Sequence, residues 1–206
     1  MSTATRKSKI TGLVLAGGQG SRLGGRDKGL TQVAGKPLIA HVLNRLKPQV
    51  NSIIISANRN IEQYGQWQCP VVVDTLRDFQ GPLAGIAAAL PEIKTDYLLV
   101  VPCDLPLLPL DLVDRLWVAM DDEEADMAIA HDGEQLQHLC ALIRRSAAAS
   151  VYEFLDEGER AVKEWANRMF PAVAWFADQA QAFRNINSED DLRDVEAALR
   201  ASKSKS

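Results

Sequence analysis

The stretch from Ile10 to Lys28 constrains this chain more than any other. An apolar run (Ile10, Leu13, Val14, Leu15) reads as a buried strand, and it empties into a loop holding five glycines and three cations, Arg22, Arg26 and Lys28. Glycines let the backbone approach a ligand closely and leave N–H groups pointing at anionic oxygens, while the cations neutralise a polyphosphate. A solvated surface loop can have the same composition. The remainder of the chain decides between the two.

Four apolar runs behave as buried strands: Ile10 to Leu15, Ser52 to Ser56, Pro70 to Asp74 and Asp96 to Pro102. Between them lie helical patterns over Leu38 to Leu46, stopped by Pro48, and over Leu83 to Leu90, opened by Gly81-Pro82. A helix from Leu110 to Met120 comes next. This alternation is the signature of a mostly parallel sheet covered on both faces, a Rossmann-like three-layer α/β sandwich. Gly17 to Lys28, Asn58, Asp74 and Asp104 all fall at or just past the C-terminal end of a strand, the edge where open α/β sheets bind ligands.

Beyond Asp121 the pattern changes. Met127 to His131 and Leu139 to Ile143 read as short strands joined through Asp132-Gly133, a hairpin rather than another parallel unit. Helices over Ala147 to Asp156 and Ala161 to Met169, a strand near Val173 to Phe176, and a helix from Glu189 to Arg200 capped by Ser188 complete the chain. The expected organisation is a flexible start (1–9), one domain (10–200) with a nucleotide half (10–120) and a hairpin-containing acceptor half (121–200), and a disordered tail (201–206).

Composition narrows the function. A net charge of -4 makes the basic loop a local feature of an acidic protein, so a small anionic ligand is expected and neither nucleic acid nor membrane. No run has the apolar length of a membrane span, which points to the cytoplasm. The three cysteines, Cys69, Cys103 and Cys140, are far apart and never C-x-x-C, which argues for reduced thiols and against a zinc site. The histidines lack metal-ligand spacing, and His41 reads as a helix-surface residue.

The first loop is not a dinucleotide fingerprint, because Leu23 stands where a third glycine belongs, nor a Walker A loop, because Lys36 precedes Pro37. Asp104, after a buried strand and between Pro102 and Pro106, suits Mg²⁺, which takes one or two carboxylates plus phosphate oxygens and waters. A turn aspartate bonding its own backbone would look the same. The carboxylate of Asp74 can accept from ribose hydroxyls or from guanine N1 and N2. Asn185 and Asn187 suit a heteroaromatic edge and Arg160 a phosphate, although Asn-x-Asn ahead of a helix is also capping chemistry.

Taken together, Leu15-Ala16-Gly17-Gly18-x-Gly20-Ser21-Arg22-Leu23-Gly24-Gly25-x-Asp27-Lys28, Gly35-Lys36-Pro37-Leu38, Gly81-Pro82-Leu83-Ala84-Gly85 and Pro102-Cys103-Asp104-x-Pro106 resemble the molybdenum cofactor guanylyltransferases. The resemblance continues through His131-Asp132-Gly133, Gly158-Glu159-Arg160-x-Val162 and Asn185-x-Asn187. It implies a nucleotidyltransferase that joins GMP from GTP to molybdenum-molybdopterin, with Mg²⁺ as cofactor and pyrophosphate as the second product. It carries GTP contacts onto Leu15, Ala16, Gly17, Lys28, Asp74 and Asp104, and metal binding onto Asp104. Gly18, Gly20, Asn58 and Gly81 join the expected GTP site, and Arg22, Lys28 and Asp104 the catalytic set. Ser56 departs from the family, which often has Asn there. Transient contacts with molybdenum-insertion proteins and with molybdoenzyme apoproteins or their chaperones are implied, and a monomer is expected.

The implied chemistry is an in-line displacement in which the acceptor's terminal phosphate attacks the α-phosphorus of GTP. A phosphate monoester is largely ionised at neutral pH, so no strong general base is needed. Competing readings are CMP transfer to molybdopterin, nucleotide transfer to a sugar phosphate, and a noncatalytic nucleotide-binding module. Cytidylyl relatives more often have Leu-Ala-Ala-Gly where this chain has Leu15-Ala16-Gly17-Gly18, and sugar-phosphate enzymes usually carry Pro-Lys where it has Asp27-Lys28.

Overall fold

The computed structural model describes residues 3–16, 27–74, 81–186 and 189–203. Its elements in order are α1 (Thr3–Lys7), β1 (Ile10–Leu15), β2 (Gln32–Val33), β3 (Lys36–Pro37), α2 (Leu38–Leu46), β4 (Ser52–Ser56), α3 (Ile61–Gly65) and β5 (Val71–Val72). They continue with α4 (Pro82–Ala89), β6 (Tyr97–Pro102), α5 (Leu112–Asp122), β7 (Met127–His131), β8 (Leu136–Arg144), α6 (Arg145–Ala148), α7 (Ser150–Asp156), α8 (Val162–Arg168), β9 (Ala172–Trp175) and α9 (Glu189–Lys203). Short 3-10 segments lie at Lys28–Leu30, Leu90–Glu92 and Ala177–Phe183.

Seven of these strands form one sheet in the order β5-β4-β1-β6-β8-β7-β9. β1 pairs in parallel with both β4 and β6, and β4 with β5. β8 runs antiparallel to β6 and β7, and β9 parallel to β7. The α/β sandwich expected from the sequence is therefore what forms, and the expected hairpin is β7–β8, built into the main sheet rather than set beside it. Within this sheet every strand except β8 points its C-terminal end to one edge.

Burial explains the apolar runs. Val14, Ile55, Val101 and Ala130 face a core closed by α2, α3 and α5. Leu13, Ile54, Val100 and Ile129 face the opposite core under α4, α7 and α8. Successive side chains of a strand point to opposite faces, so a strand covered on both sides must be apolar throughout. A third cluster, Val33, Leu38, Ile186, Val195 and Leu199, joins the β2–β3 hairpin to α9.

Several expectations need adjustment. Gly35-Lys36-Pro37 does not form a bare turn: β2 and β3 pair across Ala34 and Gly35, both in the left-handed region at φ 49° and 76°. β5 is only two residues long, at the sheet edge where β4 is its sole neighbour. β8 is longer than the apolar run because its first half pairs with β7 after an irregularity at Ile129/Ala130. The expected 147–156 helix is split at Ala149. Residues 3–7 of the start form α1, with Arg6 ion-paired to Asp114 at 3.5 Å, and 201–203 of the expected tail continue α9.

His41 is a correction. It is 7% exposed, and its Nε2 lies 2.8 Å from the Val33 carbonyl, tying α2 to β2. A polar residue is tolerated at that covered position because the β2–β3 hairpin supplies the Val33 carbonyl as its partner.

Candidate functional site

At the C-terminal edge of the sheet, each central strand is tied to its neighbour one residue past its end. Ala16 N–H donates to the Ser56 carbonyl (2.8 Å), Ala57 N–H to the Val72 carbonyl (3.0 Å) and Cys103 N–H to the Leu15 carbonyl (3.1 Å). The residues at the ends of β1, β4 and β6 are held there by the ladder. They line a cavity of about 210 Å³ whose walls include Leu15, Ala16, Lys28, Asn58, Gly81 and Asp104. Six of the residues expected to bind nucleotide thus converge on one space.

Lys28 and Asp104 are brought together across 76 residues of chain: Lys28 Nζ donates to Asp104 Oδ2 at 2.6 Å, with side chains 25% and 14% exposed. The turn that delivers Lys28 is anchored by its neighbour. Asp27 caps it by accepting from Gly29 N–H (3.2 Å), and also accepts from the Tyr64 hydroxyl (2.5 Å) and the Asn60 amide (2.9 Å). Burial, reinforced by that hydrogen bond, pushes the Tyr64 hydroxyl far above its ordinary range, so it stays a donor. Gly29 allows the approach, since a Cβ there would stand 2.5 Å from the Tyr64 oxygen.

Gly85 plays the same part on α4. A Cβ at that position would meet Ser56 Oγ at 2.6 Å and Leu15 Cδ2 at 3.0 Å. Ser56, the departure from the family pattern, is thus a buried residue of the cavity wall, 4% exposed, packed beside a helix that approaches through a glycine. Pro82, Cys103 and Leu139 also line the cavity. Periodicity does not distinguish them from core residues; the Gly81-Pro82-Leu83-Ala84-Gly85 and Pro102-Cys103-Asp104-x-Pro106 segments signalled Pro82 and Cys103, and nothing in the sequence signalled Leu139.

Cys103 and Cys140 are fully buried thiols, and Cys69 is half-buried; none is in a disulfide. Burial, with the Asp104 carboxylate adding to it, pushes both buried thiols well up, so neither serves as a thiolate nucleophile.

The remaining expected site residues are placed differently. Asp74 donates its backbone N–H to Asn58 Oδ1 at 2.9 Å, which fastens the Asp74 strand end beside the cavity without making it part of the wall. Arg160 lies in the loop between α7 and α8, donating to the Leu155 and Glu159 carbonyls at 3.1 and 2.6 Å. Asn185 borders a separate cavity of about 270 Å³ with Leu107, Arg184, Asp191 and Asp194, which shares no lining residue with the first among the described residues. The structure does not bring Arg160 and Asn185 to one wall, because they leave the sheet on elements that pack into different cores, α7–α8 and the segment before α9. Gly17, Gly18, Gly20, Arg22, Asn187 and the cap Ser188 lie outside the described residues.

No group of three or more His, Cys, Asp or Glu with metal-binding geometry occurs among the described residues. Among the described residues lining the cavity, Asp104 is the one carboxylate, and this donor set fits an ion that takes most of its oxygens from phosphates and water. No helix among the described residues is long and apolar enough to cross a membrane.

A mostly parallel sheet with a cavity at its carboxyl edge, walled by a lysine–aspartate pair, is the arrangement expected of a nucleotidyltransferase domain, and the family match gives that class. Residues 12–173 match the family model of the MobA-like NTP transferase domain. A molybdenum cofactor guanylyltransferase of Shewanella frigidimarina is 47% identical over 91% of this chain and 95% of its own. Its counterpart in Shewanella putrefaciens is also 47% identical, over 88% and 93%. The solved molybdopterin-guanine dinucleotide biosynthesis protein A of Archaeoglobus fulgidus superposes with a TM-score of 0.75 at 24% identity, covering 93% of this chain and 99% of that one, which supports the fold. The chain belongs to the molybdenum cofactor guanylyltransferase family.

Proposed function

We propose that this protein transfers GMP from GTP to molybdenum-molybdopterin, giving the guanine dinucleotide form of the cofactor and pyrophosphate. The observation that carries the reading is the Lys28–Asp104 pair on the wall of the strand-end cavity, in a chain of this family. An oxygen of the acceptor's phosphate attacks the α-phosphorus of GTP. The bond from that phosphorus to the β-phosphate bridging oxygen breaks, and pyrophosphate departs with the electron pair.

The acceptor phosphate is largely ionised at neutral pH and needs no strong base. The neutral thiols of Cys103 and Cys140 match a direct displacement with no enzyme-bound intermediate. The protein's work is then positioning and charge. Lys28 supplies a cation at the phosphates, Leu15 and Ala16 line the cavity, and Asn58 fastens the Asp74 strand end beside it. Asp104 would hold Mg²⁺, which when bound neutralises phosphate charge. Arg160 would meet the acceptor phosphate.

One assay tests this: purified protein and molybdenum-loaded molybdopterin with GTP, CTP or ATP, with and without Mg²⁺, reading dinucleotide and pyrophosphate. Product with GTP that requires Mg²⁺ is the expected result. Product with CTP alone would reverse the nucleotide assignment, and GTP binding without pyrophosphate release would point to a noncatalytic module.

A further inference from the structure

The edge that carries the nucleotide cavity continues across the rest of the sheet, and its far end holds a pair of stacked rings outside that cavity. His131 closes β7 and Trp175 closes β9, in register with each other, with ring centroids 4.3 Å apart and planes inclined by 34°. Ala130 and Ala174 point into the core under α5. By strand alternation, His131 and Trp175 point to the opposite face, the one that also carries Leu15 and Leu139 of the nucleotide cavity.

Trp175 is 61% exposed, yet its backbone is pinned. Its carbonyl accepts from Arg115 Nη1 at 3.0 Å, and the next N–H, of Phe176, donates to the His131 carbonyl at 2.8 Å. His131 is pinned too. Its Nδ1 accepts the Gly133 N–H at 3.0 Å, which makes Nε2 the nitrogen that carries a proton. Phe170, more exposed at 86%, precedes β9 at the opposite edge of the sheet and stands apart from this pair.

We infer that Trp175, backed by the His131 ring, is the platform on which the fused ring system of the acceptor stacks. The inference rests on the proposed guanylyl transfer. Adjacent strands stand about 4.8 Å apart, which puts the end of β7 about 10 Å and the end of β9 about 14 Å along the edge from the end of β6 that presents Asp104. An acceptor whose reacting phosphate hangs from one end of its ring system bridges such a gap. The intervening strand β8 contributes Leu139, an apolar side chain that lines the nucleotide cavity and faces the same side as the platform. A rigid, solvent-facing indole is a low-entropy surface for a flat ring.

The test uses the whole protein with GTP, Mg²⁺ and molybdenum-loaded molybdopterin, and measures KM for each substrate separately. Trp175→Ala is expected to raise the acceptor KM about tenfold or more while leaving the GTP KM within about twofold. Trp175→Phe is expected to recover most of the acceptor affinity. It should also lose the part of the acceptor-induced quenching of protein fluorescence that comes from Trp175. An unchanged acceptor KM in Trp175→Ala, with wild-type turnover normal, would overturn the platform alone. Equal losses for both substrates would also overturn it, as a merely structural role. No product from the wild-type protein with any nucleotide would overturn the transferase reading and the platform with it.

Discussion

The two halves of the strand-end edge hold their polar groups in different ways. At the ends of β1, β4 and β6, backbone hydrogen bonds continue past the strands, and the key side chains are half-buried and paired: Lys28 with Asp104, and Asp27 with Tyr64 and Asn60. At the ends of β7 and β9 the ladder also runs one residue on, from the Phe176 N–H to the His131 carbonyl at 2.8 Å, but local turn chemistry holds the polar side chains and the aromatic ones stay open. Asp132 accepts from the N–H groups of Glu134 and Gln135, each at 2.8 Å, and from the Gln137 amide at 2.6 Å, while Trp175 faces solvent. A site that stabilises developing charge gains from dipoles and charges fixed before the substrate arrives. A site that only grips a large acceptor can use exposed surfaces and adaptable loops.

The contrast can be broken at its strongest point first. Asp104→Ala should lower turnover by about 10²-fold to 10³-fold or more, because the carboxylate acts where charge develops. Pyrophosphate release measured with both substrates checks this, and near-normal turnover would remove Asp104 from the chemistry. Next is Gly85→Ala, whose Cβ would press on Ser56 Oγ and Leu15 Cδ2. Overpacking of this kind costs about 1–3 kcal/mol. Chemical unfolding and GTP KM should both worsen, and adding Ser56→Gly should restore part of the loss; no recovery would mean that the clash lies elsewhere.

The acceptor half gives the smallest effect. Burial by itself would raise the Asp132 carboxyl, but the hydrogen bonds from Gln135, Glu134 and Gln137 outweigh it and hold it below its ordinary value of 3.8. A carboxyl depressed in the folded state contributes stability that is present above its unfolded value and is lost as pH falls through the folded one. Asp132→Ala should therefore cost about 1 kcal/mol at pH 7 and progressively less as the pH drops below about 4. Urea unfolding at the two pH values measures it, and a deficit that acid leaves unchanged would show that the turn is not held by the carboxylate.

Legibility ran along the same divide. β1, α2, β4 and β7 begin and end where the apolar pattern does, because buried strands and an amphipathic helix carry their boundaries in the period of their own side chains. His41 misled, since a polar residue on a helix does not reveal that a distant hairpin will cover it. Asn185 stands out in the sequence by its motif, but its cavity is shaped by Leu107 and by α9, elements that the motif does not contain. The platform residues His131 and Trp175 carry no spacing signal, because they lie far apart in the chain and only strand register makes their rings neighbours.

By itself, then, the sequence determined the sheet, the edge at which ligands collect and the kinds of groups offered there, since each depends on local periodicity and on residues adjacent to strand ends. Tertiary structure decided which of those groups meet. Lys28 with Asp104, Gly85 with Ser56 and His131 with Trp175 are all contacts between different strands, turns or helices. The order in which strands pair is set by how the whole chain buries its two apolar faces, and no single segment encodes that order.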